Sequence, residues 1–434
     1  MDTIRGQAPT PFRREAPRQL ASLVSSTAAI VLAAGLLMLP GEGIAADDWR
    51  IGALFPLSGN LSVLGTEALA GDQIAVDMVN EQGGVKGHKI VLVTADATNP
   101  AVATNEARRL LTRENVKLLT GTYGSSISLA IAAVGNQINV PYWEGSAVSD
   151  ELTARNYKYV FRMNDNASAM SAGLVQTVVE LFAPKIGKPV KDLKITMIHE
   201  DSAFGTSIAK TFEAQVKAKG GSITLEPYPA ATQDLSPLVL RIKQSNPDIL
   251  VATQYFNDAI LFWRQSRNHD YNPRYFVAIG SGQATPDFYK GVGKDGEGVL
   301  LADVPSSGVK PEALVPEARK MQEEFFKRYQ AKMGKPPASH ATRHFSAMHT
   351  LLTKILPAAG SLDPEAIRKA VLALDEPVGT TILGFGLKFA ANGQNERSFN
   401  VILQWQDGKL VTVWPERFAL AKPIMVPLPD WGKR

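Results

Sequence analysis

Apolar residues recur along this chain with two periods, and from residue 49 the two alternate. The stretch 50–55 (RIGALF) is short and apolar and stops at Pro56, which cannot continue a strand ladder. From about Thr66, an N-cap type, Ile74, Ala75, Met78 and Val79 fall at helical spacing. The segment 80–87 (NEQGGVKG) packs three glycines into eight residues and predicts a stop and a turn, after which 89–96 returns as a strand. The exchange continues with strands at 117–121, 139–143, 157–162, 194–199, 249–253 and 275–279 and helices at 126–138, 167–182, 206–219 and 258–267. Strands separated by helices of ten or more residues predict parallel, doubly wound sheets. After a strand at 299–302 the rhythm becomes helix upon helix, at 312–333, 340–356 and 364–374. The tail predicts a hairpin of 399–405 and 410–414 turning over Asp407-Gly408.

The first 46 residues break this pattern. Arg5, Arg13, Arg14 and Arg18 precede an uncharged run, 20–39, and small residues follow up to Ala45 and Ala46. This is the layout of a secretory signal peptide over 1–46. A retained membrane anchor is the alternative, because the run has the ~20 residues a span needs. Arg13-Arg14 leaves the twin-arginine route open beside the general one.

Composition narrows the classes. At 434 residues with 45% hydrophobic and 20% charged, the chain can bury the cores of two ordinary domains. The net charge is +4, and removal of 1–46 leaves 42 basic against 39 acidic residues, with no basic tract. Nucleic acid is therefore not an expected partner. There is no cysteine, which excludes thiol catalysis, cysteine metal sites and a lipid-modified N-terminal cysteine.

Two motifs in order, Pro56-Leu57-Ser58-Gly59 and Asn80-Glu81-x-Gly83-Gly84-Val85-x-Gly87-x-Lys89, flanked by the right strands, resemble the start of the branched-chain amino-acid-type periplasmic binding proteins that feed ABC importers. The resemblance runs through most of the chain from Asp47. It implies a type I periplasmic binding fold: α/β, two doubly wound parallel-sheet lobes joined by a hinge crossed three times. It implies lobe one at 47–165 plus 303–397, and lobe two at 166–302 plus 398–434. It further implies a monomer in the periplasm that performs no chemistry, needs no cofactor or metal, binds a small molecule with a carboxylate, and delivers it to an inner-membrane permease. The same fold serving as a periplasmic sensor is the alternative function, and a secreted α/β enzyme is a third.

The ligand residues follow the strand ends. Gly121-Thr122-Tyr123-Gly124-Ser125-Ser126 lies between a strand and a helix, where free N–H groups and hydroxyls suit a carboxylate. In the resembled family the serine matching Ser125 holds it; Ser125 and Ser126 acting as helix caps is the plainer reading. Ser146 and Ala147 follow the next strand and match contacting positions, while Val148 replaces a threonine. Phe204 and Tyr255 match tyrosines that line the pocket, and Tyr123 adds aromatic surface. Gly280 stands where amino-acid binders carry a glutamate for the ligand ammonium. Either another acid, such as Glu144, Asp201 or Asp258, replaces it, or the ligand has no ammonium; the reading leans to the second.

Three other motifs lack the context their chemistry needs. Gly291-Val292-Gly293-Lys294-Asp295-Gly296 matches a dinucleotide fingerprint but neither follows a strand nor opens a helix. Ser207-Ile208-Ala209-Lys210 lacks the companion motifs of β-lactamase-like enzymes. His340 and His344 share a helix face but have no acidic third ligand at motif spacing, so a packed or solvated helix is expected.

Overall fold

The computed structural model describes residues 47–280 and 282–434, so the signal-peptide expectation lies outside the described residues. Two sheets organise the molecule. The first joins β1 (Trp49–Phe55), β2 (Ile90–Asp96), β3 (Leu119–Gly121), β4 (Tyr142–Glu144) and β5 (Val160–Arg162) in the order β2-β1-β3-β4-β5, all parallel. The second contains β6 (Ile195–Glu200), β7 (Ile223–Tyr228), β8 (Ile249–Thr253), β9 (Phe276–Ile279) and β10 (Leu300–Asp303), parallel in the order β7-β6-β8-β9-β10. A two-stranded ribbon of β11 (Asp375–Glu376) and β12 (Leu387–Lys388) stands apart. The hairpin of β13 (Val401–Gln406) and β14 (Lys409–Trp414) extends the second sheet antiparallel to β10.

Both sheets repeat one winding, reversing at β1 and at β6. In such sheets the crevice for a ligand opens beyond the carboxyl ends of the strands that flank the reversal. The inner strands are buried on both faces, as β6, β8 and β9 show throughout, while the edge strand β7 is only partly covered, with Tyr228 alone fully buried.

The chain passes between the sheets three times: from β5, ending at Arg162, to Ala167 in the second sheet's core; from β10, ending at Asp303, to Phe325 in the first sheet's core; and from Phe389 in that core to β13, starting at Val401. After the second pass the helices Pro316–Met333 and Ser339–Thr350 return to the first sheet, where Phe325, Tyr329, Phe345 and Leu351 share a core with Trp49, Ile51, Ile74 and Met78. The Ser339–Thr350 helix lies against the Ser62–Glu81 helix so closely that a Cβ at Gly71 would stand 2.2 Å from the Ala341 carbonyl oxygen.

Local chemistry explains where the elements depart from the periodicity. The first helix begins at Ser62, not Thr66, because a 3₁₀ turn over Gly59–Leu61 leads into it. The 167–182 and 340–356 helices each contain a widened π-type turn, Val178–Phe182 and Leu351–Ile355, immediately before the segments that carry Pro184 and Pro357. A proline has no N–H to give the preceding turn, and widening that turn lets the helix run on. Apolar spacing does not reveal the Pro100–Thr112 helix, whose start is set by Asn99 accepting from the Ala101 and Val102 N–H groups. The Asp407-Gly408 turn forms with φ of 50° and 71°, the signature of a two-residue hairpin loop.

Candidate functional site

The carboxyl ends of β3 and β4 in one sheet face those of β6, β8 and β9 in the other, and a cavity lies between them. Tyr123, Ser146, Val148, His340 and Arg343 wall it from the first sheet's side, and Met170, Phe204, Tyr255 and Gly280 from the second's. The space left between these walls is small, about 20 Å³. The rings fill the rest: Tyr255 packs on Tyr123 at 5.8 Å and on Phe204 at 5.1 Å between centroids.

The loop after β3 and the first turn of the helix it leads into carry three of the sequence-derived residues, Tyr123, Ser125 and Ser126. The Tyr123 hydroxyl donates to the Leu61 carbonyl at 2.6 Å, fixing its ring at the cavity wall. Gly124 is the cap of the Ser125–Ile138 helix, so neither Ser125 nor Ser126 occupies the capping position. The buried Ser125 hydroxyl accepts from the Ser149 N–H at 3.2 Å, and Ser126 accepts from the Ala203 N–H, across the cleft, at 3.2 Å. Ser125, Ser126 and Ala147 thus stand beside the cavity, while Tyr123, Ser146, Phe204, Tyr255 and Gly280 line it.

The loop after β4 is held from two sides. Glu144 turns back so that one carboxylate oxygen accepts the Ser146 N–H at 2.9 Å and the Ala147 N–H at 2.6 Å. From the end of β5, the buried Arg162 donates to the carbonyls of Ser149 at 2.6 Å and Ala147 at 3.3 Å. At Gly280 the backbone has φ +82°, and a Cβ there would lie 2.5 Å from the tip of the Phe204 ring.

Two lining residues, His340 and Arg343, come from the Ser339–Thr350 helix and were not among the sequence-derived set. His340 Nδ1 lies 2.6 Å from the Ser146 hydroxyl, and its ring packs on Tyr123 with centroids 4.6 Å apart. Arg343 is paired with Asp165 at 3.0 Å and Asp303 at 2.6 Å.

Residues 48–409 match the sequence profile of the family described as periplasmic binding protein. The chain belongs to that family. Leu/Ile/Val-binding protein homolog 8 of Brucella abortus is 40% identical to this binding protein over 378 residues, 86% of this chain and 92% of the relative. Homolog 7 of Brucella suis is 38% identical over 388 residues, 89% and 96% of the two chains. Among solved structures, the leucine-binding protein LivK of Thermotoga maritima superposes with a TM-score of 0.72 at 24% identity, covering 84% of this chain and 97% of that one. LivJ of Streptococcus pneumoniae, in complex with isoleucine, gives 0.70 at 21%, over 84% and 97%. These structures share the fold. The resemblance read from the two opening motifs is thereby borne out for family and architecture, and the family works outside the cytoplasm.

The electrostatics of the binding protein's cleft are set by burial. Loss of water drives the Glu144 carboxyl up to about 7, against its two backbone N–H donors. Burial likewise raises Asp258 to about 7, although the Tyr228 hydroxyl bonds to it. Burial, with Arg343 and His344 nearby, holds His340 well below the usual histidine range and hence neutral. Deeper in, His344 Nε2 lies 3.1 Å from the Thr122 carbonyl oxygen and Nδ1 lies 3.4 Å from Asp72. Burial opposes charge on His344, yet Asp72 and the Thr122 carbonyl together raise its pKa. Asp201, the third acid considered from sequence, is exposed and accepts the Ala230 N–H at 3.0 Å. None of these three acids lines the cavity, and among the described residues no group of three His, Cys, Asp or Glu is placed to hold a metal. Residues 291–296 end one short helix and form a 3₁₀ turn, and Ser207 and Lys210 lie in the Ala203–Ala218 helix.

Proposed function

We propose that this protein is an extracytoplasmic receptor of an ABC importer that captures a small carboxylate-bearing ligand between its lobes and passes it to an inner-membrane permease. Lobe one is 47–165 plus 303–397 and lobe two 166–302 plus 398–434, and the segment 1–46 directs export. The observation that carries this reading is the cavity walled from both sheets at the reversal of each. Ligand docks on one lobe and the second closes over it, with the enclosed rings giving way as the lobes part.

The ligand carboxylate is held at the start of the Ser125–Ile138 helix, where backbone N–H groups converge and Ser125 stands buried. The ligand brings no α-ammonium to position 280. The ring tip of Phe204 fills the space a side chain there would need, and a buried ammonium without a counter-ion is costly.

A thermal-shift screen of the mature protein against amino acids, aromatic acids and short dicarboxylates identifies the ligand class, since a ligand at ~100 times its Kd adds ~2.7 kcal/mol. Calorimetry of Ser125→Ala then tests the anchor. Loss of one charge-assisted hydrogen bond is expected to weaken binding by ~1.5–3 kcal/mol. An unchanged affinity would show that the carboxylate sits elsewhere.

A further inference from the structure

Resting on that reading, we infer that His340 is a specificity-determining residue: it offers the ligand a neutral hydrogen-bonding nitrogen, and so selects organic acids whose second polar group is an uncharged hydroxyl or carbonyl over the corresponding α-amino acids. Three features of the ring carry this. Its Nδ1 is engaged by the Ser146 hydroxyl at 2.6 Å. One face is covered by Tyr123, with 37° between the ring planes. The imidazole lines the cavity, and Nε2 has no hydrogen-bond partner among the described residues and is not one of the sealed, unpaired polar atoms. The edge bearing Nε2 is therefore the part of the ring left for a ligand.

The surroundings decide the charge of what it meets. The same wall carries the Arg343 guanidinium, and burial keeps His340 itself from protonating. Glu144 gives one oxygen to the Ser146 and Ala147 N–H groups, and Asp258 bonds to Tyr228. An ammonium entering here would find on the wall a neutral imidazole and a guanidinium already paired with Asp165 and Asp303, and no carboxylate among its described lining residues. A hydroxyl suits either tautomer of His340: it accepts from Nε2–H when Ser146 donates to Nδ1, and donates to Nε2 in the reverse case. A carbonyl suits only the first. With Ser146 donating to Nδ1, Nε2–H is a donor that a hydroxyl or carbonyl oxygen can accept and an ammonium cannot, so the amino acid leaves a buried polar group unpaired and is discriminated against.

The test compares acids that differ only at carbon 2. Leucine, 2-hydroxy-4-methylpentanoate and 4-methyl-2-oxopentanoate, with the phenylalanine, phenyllactate and phenylpyruvate set, are titrated by calorimetry into the mature protein and into His340→Phe, His340→Gln and Ser125→Ala. His340→Phe keeps a ring against Tyr123 and removes the nitrogens; its melting curve reports whether it folds. The hydroxy or oxo acid is expected to bind wild type at least tenfold tighter than its amino acid. His340→Phe should cut that ratio below threefold, and His340→Gln, a neutral donor and acceptor, should restore part of it. A wild-type ratio in folded His340→Phe overturns the inference while a loss of all binding in Ser125→Ala leaves the carboxylate reading standing. Tighter binding of leucine and phenylalanine than of their analogues by wild type also overturns it, and failure of all six to bind overturns both.

Discussion

Glu144 holds two backbone N–H groups on one oxygen, while its other oxygen is buried with no hydrogen-bond partner among the described residues. Its folded pKa of about 7 lies above the ordinary 4.5, so between those values the folded state keeps a proton that the unfolded chain has released. The stability this group contributes is fully present below about pH 4.5 and is lost as pH rises through 7. The loss is up to about 3 kcal/mol for a shift of this size. His340, depressed instead, works in the opposite direction, contributing stability above its unfolded pKa that is lost as pH falls. The comparison must therefore be between variants: urea denaturation at pH 5 and pH 8 should show wild type losing more stability on the alkaline side than Glu144→Gln does. Parallel pH profiles for the two would mean that Glu144 is ionised throughout.

The Ser62–Glu81 and Ser339–Thr350 helices meet backbone to backbone, and only a hydrogen at position 71 fits between them. Gly71→Val forces them apart and should cost about 1–3 kcal/mol or more, read as a lower denaturation midpoint with an unchanged slope. A stability equal to wild type would mean that the helices slide past each other freely. This contact also marks where sequence reading stops. The loops after β3, β4, β6, β8 and β9 could be placed because strand ends are legible from Pro, Gly and the return of helical spacing, and those loops, with the first turns of the Ser125–Ile138 and Ala203–Ala218 helices that follow two of them, hold all eight expected site residues. His340 and Arg343 could not be placed there, because periodicity gives the face of a helix but not which turn of that face reaches a cleft. The available signal was compositional. The helix 339–350 carries Ser339, His340, Thr342, Arg343, His344 and Ser346, yet all six are buried, and a polar helix that packs must satisfy those groups in a specific place.

At the scale of the whole molecule the lobes touch through polar pairs away from the cavity. Ser207 accepts the Asp150 N–H at 3.1 Å, and Asn257 donates to the Asn60 carbonyl at 3.1 Å. A further such contact is a clasp: the Lys335 ammonium bonds to the buried Glu67 at 2.6 Å and to Asp287, at the start of the Pro286–Val292 helix on the other lobe. Lys335→Met should raise the open fraction of ligand-free protein, seen as a larger radius of gyration in solution scattering. It should also weaken ligand binding about fivefold, the equivalent of roughly 1 kcal/mol for a partly exposed pair. Unchanged scattering and affinity would make the clasp a bystander. When the lobes part, Lys335 gives up Asp287 and keeps Glu67, so separation strands no charge in a dry interior. The two shapes can then lie close in energy, and a passing solute, by favouring one of them, decides which is populated.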